Sequence, residues 1–138
     1  MHALSDFHHS ASELLRHLGF ELSPPGADQE VVSLTVDSRF DLHFGSIDAD
    51  TWFMQADLGF TPPESAPTRL IQAMRANQLA AHPWQPVAAL DDDNRLCCWL
   101  RLPAQGCDLP RMLTAFDALI ACAEQLLNAA LPHGKARP

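Results

Sequence analysis

The chain has 138 residues, of which 47% are hydrophobic and 19% charged, and these are the size and composition of one ordinary globular domain. Its formal net charge is −8, from seventeen acidic against nine basic residues, so most of its surface repels a polyanion such as DNA. No run of about 18 apolar residues occurs, and the mixed segment from Met1 to Phe20 does not have the form of a secretory signal peptide. Composition therefore argues against nucleic-acid binding and membrane insertion, and predicts a protein that stays where it is made.

The N-terminal segment predicts an amphipathic helix. Its apolar residues recur at spacings of three and four, which places them on one stripe: Leu4, Phe7, Ala11, Leu14, Leu15 and Leu18. We expect the helix to begin near Ser5 and to end at Gly19, a residue that tolerates the left-handed conformation of a helix stop.

From Glu30 to Leu58 the hydrophobic period changes to two, which is typical of half-buried strands. Three such stretches are separated by short polar turns. Their alternating residues are Val32, Leu34 and Val36, then Phe40, Leu42 and Phe44, then Trp52, Met54, Ala56 and Leu58, with Phe53 on the opposite face of the third stretch. Short connections between consecutive strands predict an antiparallel meander.

The second half of the chain predicts a short helix, a hairpin and a long helix. Thr68 is a candidate cap for a helix that carries Leu70, Ile71, Met74 and Leu79. A strand from Gln85 to Leu90, a turn at residues 91–94 and a return strand from Arg95 to Leu102 follow; the return strand is apolar on both faces, as in a central or interface strand. Asp108 and Pro110 fit the start of the last helix. The predicted order is α-β-β-β-α-β-β-α, an α+β fold with an antiparallel twisted sheet, in one domain of residues 1–138 whose residues 132–138 form a flexible tail.

Few residues are placed as catalysis or metal binding would require. Cys97, Cys98, Cys107 and Cys122 contain no CxxC spacing, so we expect reduced, partly buried thiols. His8 and His9 have no histidine at i+4, so we expect no metal site. Cys107 before a helix could have a lowered pKa, and a Ser/His/Asp triad could be assembled from scattered residues, but structural roles are favoured. The sequence predicts no cofactor and no enzymatic activity.

What the sequence does show is more apolar material than a thin domain usually buries. The first helix has a broad stripe, and the strands carry Phe53, Cys97 and Trp99 on the face opposite the predicted core. Leu70, Ile71 and Met74 occupy the short helix, with Trp84 beyond it. Core packing explains each residue singly. Together they predict exposed apolar patches, and hence a binding module that oligomerises.

Several motifs, in this order, resemble the class I chaperones of type III secretion, the family typified by the Tir chaperone. The similarity runs from about Leu14 to Leu127. Its motifs are Leu14-Leu15 before Leu18-Gly19, the turn from Asp37 into Phe40-Asp41-Leu42, the strand around Trp52-Phe53-Met54, the break at Pro62-Pro63, the helix end Met74-Arg75-Ala76-Asn77, the strand from Leu96 to Pro103 and the final amphipathic helix. Gln78 stands where the family commonly has an aromatic residue, and the short C-terminus is basic where several relatives are acidic.

The resemblance implies a bacterial cytoplasmic homodimer that binds the N-terminal segment of a secreted effector and keeps it soluble and competent for secretion. The implied dimer interface comprises Leu70, Ile71, Met74, Trp84 and Trp99. The implied effector-binding residues, on the first helix and the meander, are Leu14, Leu18, Val32, Leu34, Phe44 and Phe53. The effector would wrap around the dimer in extended form, partly by strand addition at a sheet edge. Release by the ATPase of the secretion machine, a further partner, would require no nucleotide bound to this chain.

The sequence is also compatible with two alternative functions. The first is a small-ligand-binding or regulatory α+β domain without a protein client, in which the surplus apolar residues line a pocket. The second is an enzyme that uses Cys107 or a histidine paired with an aspartate.

Overall fold

The structure is a computed structural model that describes residues 3–20, 30–36, 40–60, 64, 66–79 and 84–129. These described residues form three helices and five strands, and their predicted order, α-β-β-β-α-β-β-α, is confirmed. They are α1 (Ala3–His17), β1 (Val31–Val36), β2 (Phe40–Asp48), β3 (Thr51–Phe60), α2 (Ala66–Ala76), β4 (Val87–Leu90), β5 (Arg95–Pro103) and α3 (Leu109–Ala129). The predicted tail, residues 132–138, lies outside the described residues.

The five strands form one antiparallel sheet in the order β1-β2-β3-β5-β4. The first three strands are the predicted meander. The β4–β5 hairpin then adds through β5, so that β5 lies between β3 and β4. This internal position explains why β5 has apolar residues on both faces. The two edges of the described sheet are β1 and β4.

Register places one set of alternating residues on a single face, which we call the inner face. Phe44 pairs with Met54, and Met54 with Leu100, so these side chains form a row across three strands. The inner-face residues are buried together with the apolar sides of α1 and α3. Phe7 of α1 makes edge-on ring contacts with Phe44 and Trp52, at centroid distances of 5.1 and 5.7 Å. The hydrophobic core therefore lies between the sheet and these two helices.

The ends of α1 and α3 follow from capping chemistry. Gly19 has a φ of +91°, as predicted for the helix stop. The Phe20 amide donates to the Leu15 carbonyl at 2.9 Å and the Gly19 amide to that of Arg16 at 3.1 Å, the paired bonds of a Schellman motif. At the start of α3, the Asp108 carboxylate accepts from the Arg111 amide at 3.1 Å, which confirms the predicted cap.

The α2–β4 region differs from the sequence prediction at three boundaries. The helix begins at Ala66, so Thr68 lies inside it and does not cap it. Pro67 explains the earlier start, because proline is favoured in the first helical turn, where its missing N–H costs nothing. The helix ends at Ala76, which leaves Leu79 outside it and 95% exposed. β4 begins at Val87 and not at Gln85, since Pro86 precedes it and cannot donate to a ladder.

Candidate interaction surfaces

The outer face of the sheet, opposite α1 and α3, carries a mixed set of side chains that stay largely accessible in the described part of the chain. Ser33, His43, Gln55 and Trp99 form one row across four strands. Phe53 lies in the next row, opposite Arg101. Ser33 and Arg101 are exposed, whereas His43, Gln55, Phe53 and Trp99 are half-buried. Half-buried aromatic rings on an open sheet face are a candidate contact surface.

Phe53 and Trp99 line one shallow groove on this face, together with Ile47, Gln55 and Arg101. The Arg101 guanidinium lies 5.7 Å from the Trp99 ring centroid, in the range of a cation–π contact. The Phe53 ring lies directly over Gly45, where an added Cβ would come within 2.5 Å of the ring. The absence of a side chain at Gly45 therefore leaves the space that the Phe53 ring occupies. We call these five residues the outer groove.

The family resemblance implied effector binding for Phe53 and a dimer contact for Trp99, whereas the structure places both in the outer groove. The register between β3 and β5, which sets Gln55 opposite Trp99, brings them together. Sequence spacing carries no signal for this register, because α2 and β4 intervene.

Three of the six predicted effector-binding residues need correction. Leu14 and Phe44 are 0% exposed and Val32 is 5% exposed, because all three face the space between α1 and the inner face of the sheet. A side chain with no accessible surface cannot contact an effector without repacking the core. Their apolar character is explained by the core.

The other three predicted effector-binding residues keep accessible surface. Leu18, at the end of α1, and Leu34, in edge strand β1, are partly buried and pack against the rim of the core. Phe53 lies in the outer groove on the opposite face. Their effector contact stays a prediction, on two separate surfaces.

The predicted dimer residues of α2 are exposed. Leu70 is 40%, Ile71 51% and Met74 75% exposed, while Ala73 turns to the core at 7%. We call Leu70, Ile71 and Met74 the α2 patch. Spacings of three and four place them on one side of the helix, and such a concentration of exposed apolar residues is typical of an interaction surface.

Trp84 and Trp99 lie apart from the α2 patch. Trp84 is half-buried beside Pro110, Arg111 and Thr114 at the start of α3, and Trp99 lies in the outer groove. The five predicted dimer residues are therefore divided among three places on the subunit.

The edge strand β1 is a further candidate contact surface. In β1, the Glu30 carbonyl accepts from the Ser46 amide at 2.9 Å, which fixes the alternation of the ladder. By that alternation, the main-chain groups of Ser33 and Thr35 point away from β2. Their side chains bond across the strand pair, Ser33 Oγ with His43 Nδ1 at 2.7 Å and Thr35 Oγ1 with the Asp41 carboxylate at 3.0 Å. In the described residues, no strand lies beside β1 on its other side.

Ser33, His43 and Asp57 form a line on the outer face that resembles a catalytic triad in composition. Its geometry differs from one. Nε2 of His43 is 3.7 Å from the Asp57 carboxylate, and each side chain is 28% exposed. The line lies on an open sheet face, not in a cleft that could exclude water from a reacting group. Polar side chains on a solvated face account for it.

The pKa of Cys107 argues against the reactive alternative that the sequence left open. Burial raises the pKa of the Cys107 thiol and the neighbouring Asp108 carboxylate raises it further, whereas a reactive thiol requires a lowered pKa. Burial likewise raises the pKa of Cys97. A hydrogen bond from the Cys98 thiol lowers the pKa of Cys122. All four cysteines are buried and free, as reduced thiols.

The described residues contain no group of three His, Cys, Asp or Glu side chains arranged to hold a metal ion. Among the described helices, none is long and apolar enough to cross a membrane.

An α+β subunit with an open sheet face and an exposed apolar helix belongs to the class of small binding modules. Residues 9–127 match the sequence model of the Tir chaperone protein (CesT) family. The match covers most of the chain, and the protein belongs to this family. The resemblance inferred from the sequence motifs is thus confirmed. Among curated proteins, none matches the sequence significantly.

Several solved structures share this fold. One is a chain from the Yersinia pestis type III secretion chaperone SycH in complex with a stable fragment of YscM2, with a TM-score of 0.69 and 18% identity over 87% of this chain and 98% of that one. Another is from the ExoT–SpcS complex of Pseudomonas aeruginosa, with a TM-score of 0.67 and 22% identity over 91% and 98%. A third, from the heterodimeric ExoU–SpcU complex of the type III secretion system of the same organism, has a TM-score of 0.66 and 19% identity over 85% and 94%. At these sequence identities, the structural similarity shows that the chains share a fold and shows nothing further.

Proposed function

We propose that the protein is a chaperone that binds the N-terminal segment of a type III secretion effector and keeps it soluble and competent for secretion. The family match over residues 9–127 carries this proposal. The relatives in solved structures include a secretion chaperone bound to a fragment of another protein. An alternative role as a small-ligand or regulatory domain is not favoured, because the outer groove is shallow and open and the family is one of chaperones.

Two copies of the chain form the working unit, joined through the α2 patch. Leu70, Ile71 and Met74 expose apolar surface that water solvates poorly, and a twofold axis lets one patch cover the same patch on its partner. Trp84 and Trp99 lie outside this patch, and their contact with the partner subunit stays a prediction.

The effector segment contacts each subunit along β1 and in the outer groove. An extended chain that adds beside β1 bonds to the outward main-chain groups of Ser33 and Thr35. Its alternate side chains then reach Leu34 and Leu18 at the rim of the core. A disordered client loses conformational entropy on binding, and burial of apolar groups such as Phe53 offsets that cost.

We propose further that the protein acts by binding alone and catalyses no reaction. It works in the bacterial cytoplasm, where the ATPase of the secretion machine releases the effector from it. The family supports this role. The raised pKa of Cys107 is consistent with it, because it keeps the thiol protonated and poorly nucleophilic at neutral pH.

The direct test is co-expression with a type III secretion effector from the same bacterium, starting with any that a neighbouring gene encodes. We expect the full-length effector to co-purify in a stable complex, and an effector that lacks its N-terminal segment to be lost. The complex should protect that segment from protease while leaving it without a fold of its own. If no N-terminal protein segment co-purifies from this pair or from native cells, the chaperone function is wrong.

The dimer is tested separately with Met74→Asp, which places a charge in the centre of the α2 patch. Because Met74 is 75% exposed, we expect little change in subunit folding but a shift from dimer to monomer in sedimentation velocity. Ala121→Asp, at an exposed position of α3, is the matched control and should remain dimeric. A Met74→Asp protein that stays dimeric at micromolar concentration contradicts the α2 interface.

A further inference from the structure

The edge strand β4 is short, and its outward main-chain groups can be assigned. The Asp91 amide donates to the Arg95 carbonyl at 3.0 Å, which closes the β4–β5 hairpin with a bonded pair. Bonded and non-bonded pairs alternate in an antiparallel ladder, so the pair Ala88 and Cys98 is non-bonded. The N–H and C=O of Ala88 therefore point away from β5, towards the edge of the sheet.

A side-chain amide occupies both of these outward groups. Asn77 follows directly after α2, and its Oδ1 accepts from the Ala88 amide at 2.8 Å. Its Nδ2 donates to the Ala88 carbonyl at 3.2 Å. One carboxamide thus makes the two hydrogen bonds that a neighbouring strand would make at the centre of this four-residue edge. By the same alternation Leu90, beside the hairpin turn, is the other residue of β4 whose main-chain groups point outward. An edge whose outward groups at Ala88 are already satisfied is a poor template for another strand, because a pairing segment could not bond there.

The β1 edge is built differently. It is six residues long, and the ladder leaves the main-chain groups of Ser33 and Thr35 pointing outward. The Ser33 and Thr35 side chains bond to β2 side chains across the outer face, and so they do not cap their own strand. A segment placed beside β1 would extend the sheet in register with Leu34 and Val32 on its inner face.

We propose that Asn77 closes the β4 edge, so that an extended client segment adds to the sheet at β1 alone. Asn77 is thereby a positioning residue that makes recognition one-sided and prevents edge-to-edge pairing of copies at β4. The choice of β1 by a client rests on the proposed function, whereas closure of β4 does not.

The main competing role for Asn77 is to fasten the turn that links α2 to β4. Gln85 separates the two roles, because its Nε2 donates to the main-chain carbonyls of Asn77 and Gln78, at 3.3 and 2.5 Å, whereas the outward groups of Ala88 bond to the Asn77 side chain. Gln85→Ala therefore weakens the turn and leaves the β4 edge closed. It is the matched control for Asn77→Ala.

The first measurement is amide hydrogen exchange at Ala88, in the protein without a client. We expect Asn77→Ala to accelerate exchange at this amide by about threefold to tenfold, the loss of one ordinary hydrogen bond, while β5 amides bonded to β3 keep their rates. Asn77→Asp retains the acceptor for the Ala88 amide but removes the donor to its carbonyl. It should keep the amide protected, which covers the case in which the alanine variant does not fold.

The second measurement is the mass distribution across protein concentration. Asn77→Ala should form species larger than those of the parent as concentration rises, and adding Leu90→Lys, a charge at the exposed end of β4, should reverse this. Gln85→Ala should match the parent in both measurements.

Three outcomes would overturn the inference. They are unchanged Ala88 exchange in Asn77→Ala, an unchanged mass distribution, or a Gln85→Ala variant that behaves like Asn77→Ala. If the effector fails to co-purify with the parent but Asn77→Ala opens the edge, the proposed function is wrong and the closure of β4 stands. If the effector binds the parent with a strand paired at β4, the proposed function stands and the closure of β4 is wrong.

Discussion

The two faces of the sheet are formed by the same strands but differ in what covers them. Inner-face residues such as Phe44, Met54 and Leu100 lie under α1 and α3 and have almost no accessible surface. On the outer face, Phe53 and Trp99 keep part of theirs, beside polar residues that bond to one another across the strands. The inner face stabilises the subunit, and the outer face is free to contact a partner. An apolar residue in this sheet therefore has a meaning only once its face is known.

The largest expected effect comes from truncating matched phenylalanines on the two faces. Phe44→Ala removes a fully buried ring in contact with Phe7 and should lower the free energy of unfolding by about 3–5 kcal/mol. Phe53→Ala removes a half-buried ring and should cost only about 1 kcal/mol. Urea unfolding at one fixed protein concentration measures both, since dimerisation makes stability depend on concentration. Equal losses in the two variants would contradict the assignment of the faces.

Phe53→Ala should also weaken retention of the effector, although it leaves the subunit folded. Phe44→Ala offers the contrast, because any loss of binding there should follow the loss of folded protein.

A smaller loss of stability is expected from a substitution at Gly45, the residue that the Phe53 ring covers on the outer face. Gly45→Ala would place a Cβ 2.5 Å from Cε2 of Phe53 and 3.0 Å from the Glu30 carbonyl oxygen. The ring must leave this space, so the variant should lose about 1–3 kcal/mol of unfolding free energy and open the outer groove. In the double variant with Phe53→Ala the ring contact is gone, and the two losses should be less than additive. Strict additivity in the double-mutant cycle would show that the ring does not rest on Gly45.

Alternation in the sequence predicted which residues share a face, and local chemistry predicted the helix ends at Gly19 and Asp108. These features depend on neighbours in the chain. The sequence did not predict which apolar residues are exposed, since the burial of Leu14, Val32 and Phe44 depends on where α1 packs against the sheet. The outer groove and the bond between Asn77 and Ala88 depend on strand order and on a turn, and hydrophobic spacing encodes neither.

The smallest expected effect compares two adjacent thiols, Cys97 on the outer face and Cys98 on the inner face. Cys98 is 0% exposed, and its pKa is raised by a hydrogen bond to Cys122 and by burial, so a small alkylating reagent should not modify it in the folded protein. Cys97 is 8% exposed, and burial, then Asp57 and Asp91, raise its pKa above the ordinary value of 9.0. Its reaction should therefore be slow at neutral pH and accelerate only in alkaline solution.

Asp57→Asn tests the cause of the Cys97 shift. Removing a carboxylate that disfavours the thiolate lowers the pKa of Cys97, so the alkaline rise in its alkylation rate should move to lower pH. Asp93→Asn removes an exposed carboxylate that is not among the causes of the shift, and it should leave the profile in place. Mass spectrometry of the modified peptide, over pH values around 9, measures the rate at each thiol. Modification of Cys98 before Cys97 would contradict the division of the sheet into a covered and an open face, because these neighbours differ chiefly in the face to which each side chain points.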